Sequence, residues 1–266
     1  MAAEIIRACE RGDVDKVERL LPRVRNPAGV RNKRWFGETL LHYSCRHGWL
    51  DVTRKLVEQY YCNPESRDWF WRSPLHKACR EGHVDIVRYL VGEQGCRTCY
   101  QSMSGYTPLL EACRKGHLAV VEILFTAQDC STVCKIHSRI LLHYSCRHGW
   151  LDVTRKLVEQ YHCDPDSKDK DGNTPLHVAC RVGHSDIVRY LVGEMGGSAA
   201  CENEYGNTPL LEASKNQHLD VVEILLTAHD CSTALNKHST ILVHYSCHHG
   251  WLDITRKLVE QYHLHG

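Results

Sequence analysis

The chain has 266 residues, 42% of them hydrophobic and 24% charged, with a formal net charge of +1. That composition is globular: too apolar for a disordered chain, and with no run near the ~18 uncharged apolar residues that a bilayer span needs. The near-zero net charge also excludes a global basic field aimed at nucleic acid or an anionic membrane.

In chain order, Met1 to Arg7 places charges at Glu4 and Arg7, where a signal peptide needs an apolar core. No membrane insertion is expected, and the expected location is the cytoplasm, with the nucleus as the alternative. The cysteine count of 15 is odd and no Asn-x-Ser/Thr acceptor accompanies it, so reduced thiols are expected rather than a disulfide framework. Residues 8–21 then set Ala, Cys, Val and Leu at helical spacing. A connection follows with Arg23, Arg25, Arg31, Lys33 and Arg34 and no acidic residue between Pro22 and Gly37.

From residue 42 onward the chain repeats itself. The segment 42–60 recurs unchanged at 143–161, and again at 244–262 with only His248 and Ile254 different. Segment 85–93 recurs at 186–194, and 120–124 at 221–225, always at an offset of 101 residues. Inside each block runs a shorter period: His42, His76, Leu110, His143, His177, Leu211 and His244 follow at steps of 34, 34, 33, 34, 34 and 33. Such a period marks a stack of supersecondary units.

Within one unit, Thr174 and Pro175 suit a helix start, and Leu176, Ala179 and Cys180 form an apolar stripe at i, i+3 and i+4. Gly183 suits the left-handed end of that helix, and Ile187, Val188, Leu191 and Val192 make the stripe of a second. Asp169 to Gly172 reads as a turn to the neighbouring unit. Helices of about ten residues do not fold alone, so stacking must supply their stability.

The motif Thr174-Pro-Leu-His177, followed by Ala179 and Gly183-His184, resembles the ankyrin repeat family. Ser73-Pro-Leu-His76, Thr107-Pro-Leu-Leu110 and Thr208-Pro-Leu-Leu211 are close variants. The resemblance extends over nearly the whole chain. It implies an all-α ankyrin-repeat solenoid of helix-turn-helix units joined by β-hairpin-like loops, in a single domain over 1–266. A capping repeat with its basic connection occupies 1–35. Repeats follow at 36–69, 70–103, 104–136, 137–170, 171–204, 205–237 and 238–266, the last poorly capped or truncated. Four hairpins depart from the pattern, with Trp71, Ser138 and Ser239 in place of glycine and Lys33-Arg34 after an enlarged loop. Gln217 replaces a helix-ending glycine.

The abundant histidines are explained by the same resemblance. His42, His76, His143, His177 and His244 take the place whose imidazole ties local and neighbouring backbone together. His83, His117, His184 and His218 take the Gly-His place. Cys9, Cys45, Cys79, Cys113, Cys146, Cys180 and Cys247 share an inward register and read as small buried hydrophobes. The zinc-like spacing of Cys96 and Cys99 with Cys130 and Cys134 is a candidate metal set. Its 101-residue copy keeps only Cys231 of the four, and no metal or cofactor is expected. Walker, Gly-x-Gly-x-x-Gly, His-Glu-x-x-His and Gly-x-Ser-x-Gly signatures are missing, so no enzyme activity is expected.

The aromatic residues carry the functional signal. Trp49, Trp150 and Trp251 keep the 101-residue period and read as packing between paired helices. Trp35-Phe36 and Trp69-Phe70-Trp71 do not: their copies are polar or aliphatic, so the scaffold does not require aromatics there. Exposed aromatic clusters favour an interface. The expected function is a non-catalytic adaptor or scaffold binding a partner protein on the concave face that the resemblance implies. The expected contact row is Trp35, Phe36, Trp69, Phe70 and Trp71, extended by Met103, Tyr106, His137 and Tyr205. The neighbouring basic connection suits an acidic partner segment; nucleic acid would need a broader basic surface. Two alternatives stand beside this reading. One is the ankyrin portion of a longer enzyme, signalling protein or channel; the other is a solenoid that self-associates through its C-terminal repeat.

Overall fold

The computed structural model describes residues 1–32, 36–127, 130–228 and 231–262. They form two compact units, Met1–Ile136 and His137–Gly266. The boundary coincides with that between the expected repeats 104–136 and 137–170. Among the described residues all regular structure is helical apart from one isolated bridge between Arg31 and Thr39, and no helix is long and apolar enough to cross a membrane.

In the first unit, α1 (Ala2–Glu10) and α2 (Val14–Leu20) form the opening pair. Then come α3 (Leu40–His47) with α4 (Leu50–Glu58), α5 (Pro74–Glu81) with α6 (Val84–Arg88), and α7 (Pro108–Lys115) with α8 (Leu118–Leu124). The first helices of successive pairs lie against one another, α1 on α3, α3 on α5 and α5 on α7. Helix α9 (Cys130–His148) leads into the second unit and bends at His137, whose backbone is non-helical. Within that unit α10 (Leu151–Glu159), α11 (Pro175–Val182), α12 (Ser185–Arg189), α13 (Pro209–Lys215), α14 (Leu219–Leu225), α15 (Cys231–His248) and α16 (Leu252–Tyr262) repeat the plan.

Local chemistry starts and stops each first helix. Thr39, Ser73 and Thr174 form capping boxes with His42, His76 and His177, and Thr107 and Thr208 cap α7 and α13. Pro74, Pro108, Pro175 and Pro209 occupy the first turn, where no donor is lost. Gly48, Gly82, Gly116 and Gly183 end their helices in the left-handed region. Gln217 takes the same conformation at φ +65° without being glycine.

Two of the expected hairpins do not form. Where a hairpin was expected at residues 135–138, two helical stretches of α9 meet at a kink at His137, and α15 is helical through the corresponding place in the next triplet. The register explains why. Ile140 and Ile241 stand where other units have the capping Thr or Ser, Leu141 and Leu242 stand in place of proline, and Ser138 and Ser239 in place of glycine. With neither a start nor a stop signal no hairpin forms: α15 runs through, and α9 is broken only by the kink at His137.

The repeats are joined by histidine. The Nε2–H of His42 donates to the Arg72 carbonyl at 2.9 Å, that of His76 to Tyr106 at 3.1 Å, and that of His177 to Asn207 at 3.0 Å. The Nδ1 of each ring accepts from the backbone N–H of its own cap, Thr39, Ser73 or Thr174. A second set reaches the other way. His83 bonds the Arg46 carbonyl at 2.8 Å, His117 that of Arg80, His184 that of Arg147 and His218 that of Arg181. Each of these rings crosses the glycine that ends the preceding first helix, so that glycine serves both the left-handed turn and the close approach.

The apolar stripes close the core with one exception: Leu176, Ala179, Cys180, Ile187, Val188 and Leu191 are buried, while Val192 is half-buried. Six of the seven register cysteines are buried too. Cys247 is exposed, contrary to expectation, because α15 packs on α13 and α16 and no further first helix covers its other side among the described residues.

Two tests follow from these ties. Gly82→Ala places a Cβ at φ +82° and 2.5 Å from the His117 ring. It should lower unfolding stability by about 2 kcal/mol or more, whereas Gly92→Ala, with nothing within 4 Å, should change it by less than about 0.5 kcal/mol in urea titrations. The second test is pH. Burial holds His42 and His76 down to about 4, against an ordinary 6.5. A depressed folded value contributes stability above the unfolded value, and that contribution is lost as pH falls from 6.5 towards 4. The melting temperature should fall by on the order of 5 °C between pH 7 and pH 4.5. A flat profile there contradicts neutral staples.

Candidate functional site

The hairpins of the first unit are built by one short polar side chain each. Asp68 Oδ1 accepts the backbone N–H groups of Phe70 and Arg72, both at 2.9 Å, and Ser102 Oγ accepts that of Tyr106. Asp169 and Asn203 do the same in the second unit. This turn chemistry sets the turn without calling on the tip side chains.

Successive tips are tied through the main chain. The Trp69 N–H donates to the Phe36 carbonyl at 2.8 Å and the Met103 N–H to the Phe70 carbonyl at 2.9 Å. The Trp69 indole lies over Gly37, leaving no room for a Cβ there. The Phe36 and Phe70 ring centroids are 5.0 Å apart, and the Arg72 guanidinium sits 4.9 Å from the Phe70 ring. A second stack runs beside them, with Arg67 over both Trp71 and Tyr100, and Arg97 over Tyr100 at 4.5 Å.

Despite this support the rings remain open to solvent: Trp69 and Trp71 are each 57% exposed, Phe36 43%, Phe70 41% and Met103 66%. Phe36 and Trp71 both hold φ of +61°, an unfavourable region for bulky residues. Trp71 thus adopts the conformation that Gly105, Gly172 and Gly206 adopt in the other hairpins. The turn is preserved rather than distorted.

Beneath the tips lies a buried charge cluster. Lys77 Nζ bonds Glu38 Oε1 at 2.6 Å and sits 3.4 Å from Asp68 Oδ2. Arg72 pairs with Asp68 at 2.8 Å, and Arg46 reaches Glu38. Burial opposes charge on Glu38, but Lys77 and Arg46 outweigh it and hold the carboxyl below its usual range. Burial likewise opposes charge on Asp68, and the Arg72 N–H with the charges of Lys77 and Arg72 lowers it. With three cations facing two anions, Lys77 is also held below the ordinary lysine range, first by burial and then by Arg72 and Arg46, despite the pull of Glu38. In the 101-residue copy these places hold Arg139, Asn173 and Val178.

The expected contact row divides accordingly. The structure brings Phe36, Trp69, Phe70, Trp71 and Met103 together at the tips of adjacent hairpins. Tyr106 stands at a hairpin base, half-buried, its carbonyl accepting from His76 and its ring 5.6 Å from the Arg114 guanidinium. His137 is not on a hairpin finger, since it marks the bend in α9 and is half-buried. Tyr205 is 72% exposed on a hairpin tip of the second unit. Trp35 lies outside the described residues. The tryptophans of the 101-residue period stack on histidine, Trp49 on His47 at 4.7 Å and Trp150 on His148 at 4.9 Å. Of the candidate metal set, Cys96 and Cys134 are buried, Cys99 is half-buried, and the Cys130 side chain lies outside the described residues. Among those residues no group of three His, Cys, Asp or Glu side chains is placed to hold a metal.

The charge cluster and the guanidinium stack were not foreseen in the sequence. Their signal was present: Glu38, Lys77 and Arg72 break the 101-residue copying just as the aromatics do. Tyr61, 85% exposed at φ +52°, was also missed.

The family model for ankyrin repeats, in three copies, matches residues 5–102, 62–136, 125–198, 142–236 and 195–265. Among solved structures, the human ASB11 ankyrin repeat domain is 27% identical, with a TM-score of 0.58 over 70% of this chain and 82% of that one. A chain from the complex of the predatory endopeptidase Bd0816 of Bdellovibrio bacteriovorus with the immunity protein Bd3460 has the same TM-score at 19% identity, over 70% of this chain and 96% of that one, a likeness of fold alone. A sequence search of curated proteins gives no match. Ankyrin repeats are in general protein-interaction modules. With the helix pairs, the capping boxes and the histidine ties already in view, the match from residue 5 to residue 265 shows that this chain belongs to the ankyrin repeat family.

Proposed function

We propose that this chain is a non-catalytic adaptor or scaffold that grips a partner protein with the hairpin tips of its first unit. One observation carries the reading. Four large aromatic rings stand exposed on a backbone held by hydrogen bonds, two of them on left-handed residues, at places where the scaffold's own copy has polar or small residues. Strain kept at an exposed position, where the copy in the second unit does without the aromatic, favours a binding role. Rigid aromatics lose little entropy on contact and are frequent binding hot spots. Trp69, Phe70 and Trp71 would be the anchors, with Phe36, Trp35, Met103 and Tyr106 around them. His137 and Tyr205 would serve only a partner that also reaches the second unit.

Capture from cytosolic extract should yield a partner that the Trp69→Ala/Phe70→Ala double variant binds at least about tenfold more weakly, with the melting temperature preserved. Undiminished binding by that variant moves the interface elsewhere. Trp71→Gly should weaken binding as well while raising stability by about 1 kcal/mol, because it removes the left-handed penalty.

A second reading, self-association through the last repeat, is favoured by the exposure of Ile241 at 45% and Leu252 at 68% on α15 and α16. Sedimentation over a range of concentrations should then show a dimer that Leu252→Glu converts to monomer.

A further inference from the structure

Beside α1 the first connection folds back into an open cleft of about 770 Å³ that the aromatic tips do not line. Two short 3-10 turns, Leu21–Arg23 and Pro27–Gly29, curl the chain, and Asn26 secures the second by accepting the Gly29 N–H at 3.1 Å. Val24 is extended and buried, so its neighbours Arg23 and Arg25 are turned outward. Val24, Val30 and Ile6 form an aliphatic floor, and Arg7 joins the rim from the last turn of α1.

Three exposed arginines, Arg7, Arg23 and Arg25, therefore line one apolar floor. Among the described residues Arg7, Arg23 and Arg25 have no carboxylate within salt-bridge distance. The single anion among the described lining residues, Glu10, accepts a hydrogen bond from Asn32 Nδ2 at 2.8 Å. Arg31 is held in place by the carbonyls of Gly37 and Arg67, which joins the cleft to the hairpin side of the unit. Arginine forks match carboxylates in pairs. Among the described residues the floor offers no ring on which a nucleic acid base could stack, and it would bury an aliphatic side chain. A cleft of this size takes a few side chains rather than a folded surface.

We infer that this cleft docks an acidic protein segment in which an aliphatic residue is flanked by carboxylates. The site is separate from the aromatic tips and adds to them a second requirement on a partner.

Fluorescence anisotropy on the full chain tests it with a labelled peptide of alternating Glu and Leu, its Gln/Leu counterpart, and a single-stranded oligonucleotide of equal charge. The Glu/Leu peptide should bind at least about tenfold tighter than either of the others. Its affinity should fall severalfold between about 50 mM and about 300 mM salt. Arg7→Gln/Arg23→Gln/Arg25→Gln, at exposed positions, should weaken it by about tenfold, and Trp69→Ala/Phe70→Ala should leave it within about twofold. Equal binding of the Gln/Leu peptide, stronger binding of the oligonucleotide, no binding of the Glu/Leu peptide, or an unchanged triple variant would each overturn the assignment. The salt series on the unaltered chain reads the same charge dependence without any substitution. Loss of Glu/Leu binding in the Trp69/Phe70 variant would instead place the peptide on the aromatic tips.

Discussion

Within each unit everything depends on how one repeat is held in register with the next, a task that apolar stacking shares with histidine. A helix pair of this length has too few hydrogen bonds to persist alone. Within each unit, an interface whose repeats carry both histidines adds two directional bonds to the apolar contacts. One imidazole reaches forward to a hairpin carbonyl, as His76 does to Tyr106, and another reaches back to a helix end, as His117 does to Arg80. Apolar packing alone tolerates small slips, whereas a buried ring with a donor on one side and an acceptor on the other does not.

Because these bonds end on main-chain carbonyls, the hairpin side chains are released from the task of holding the fold. Asp68, Ser102, Asp169 and Asn203 shape the turns, and the residues beside them vary while the turn is kept, at the cost of a left-handed tryptophan in the case of Trp71. In the first unit that freedom is filled with aromatics, stiffened by tip-to-tip hydrogen bonds and by guanidinium stacking. Preorganised rings of this kind bind without a large ordering cost. The charge cluster below them fits the same picture. Breaking any one pair would leave a buried charge without its partner, so the cluster holds Asp68, and hence the aromatic turn, in one arrangement.

Much of the fold was legible in the sequence because its signals are short. Thr174, Pro175, His177 and Gly183 fall within ten residues, and each acts on the backbone nearest to it. The seven-fold recurrence of the pattern then leaves little room for another architecture. The aromatic tips were legible for a different reason: comparison with the 101-residue copy separates what the scaffold needs from what it merely carries. Less legible were the places where a signal is missing. Residues 138–141 lack the glycine, the cap and the proline together, and a hairpin inferred from period alone became a kink between helical stretches at His137. Cys247 follows the register of six buried cysteines, yet its burial depends on a neighbour rather than on the register.

The sequence by itself determined the repeat, the helix ends, the inward stripes and the histidine positions, since these depend on residues a few places apart. Tertiary structure alone decided which distant side chains meet. Lys77 finds Glu38 and Asp68 across two repeats, Trp69 covers Gly37, and Arg7 of α1 joins Arg23 and Arg25 around one apolar floor. Such meetings depend on the stacking register and on the fold-back of a connection, which no short pattern encodes.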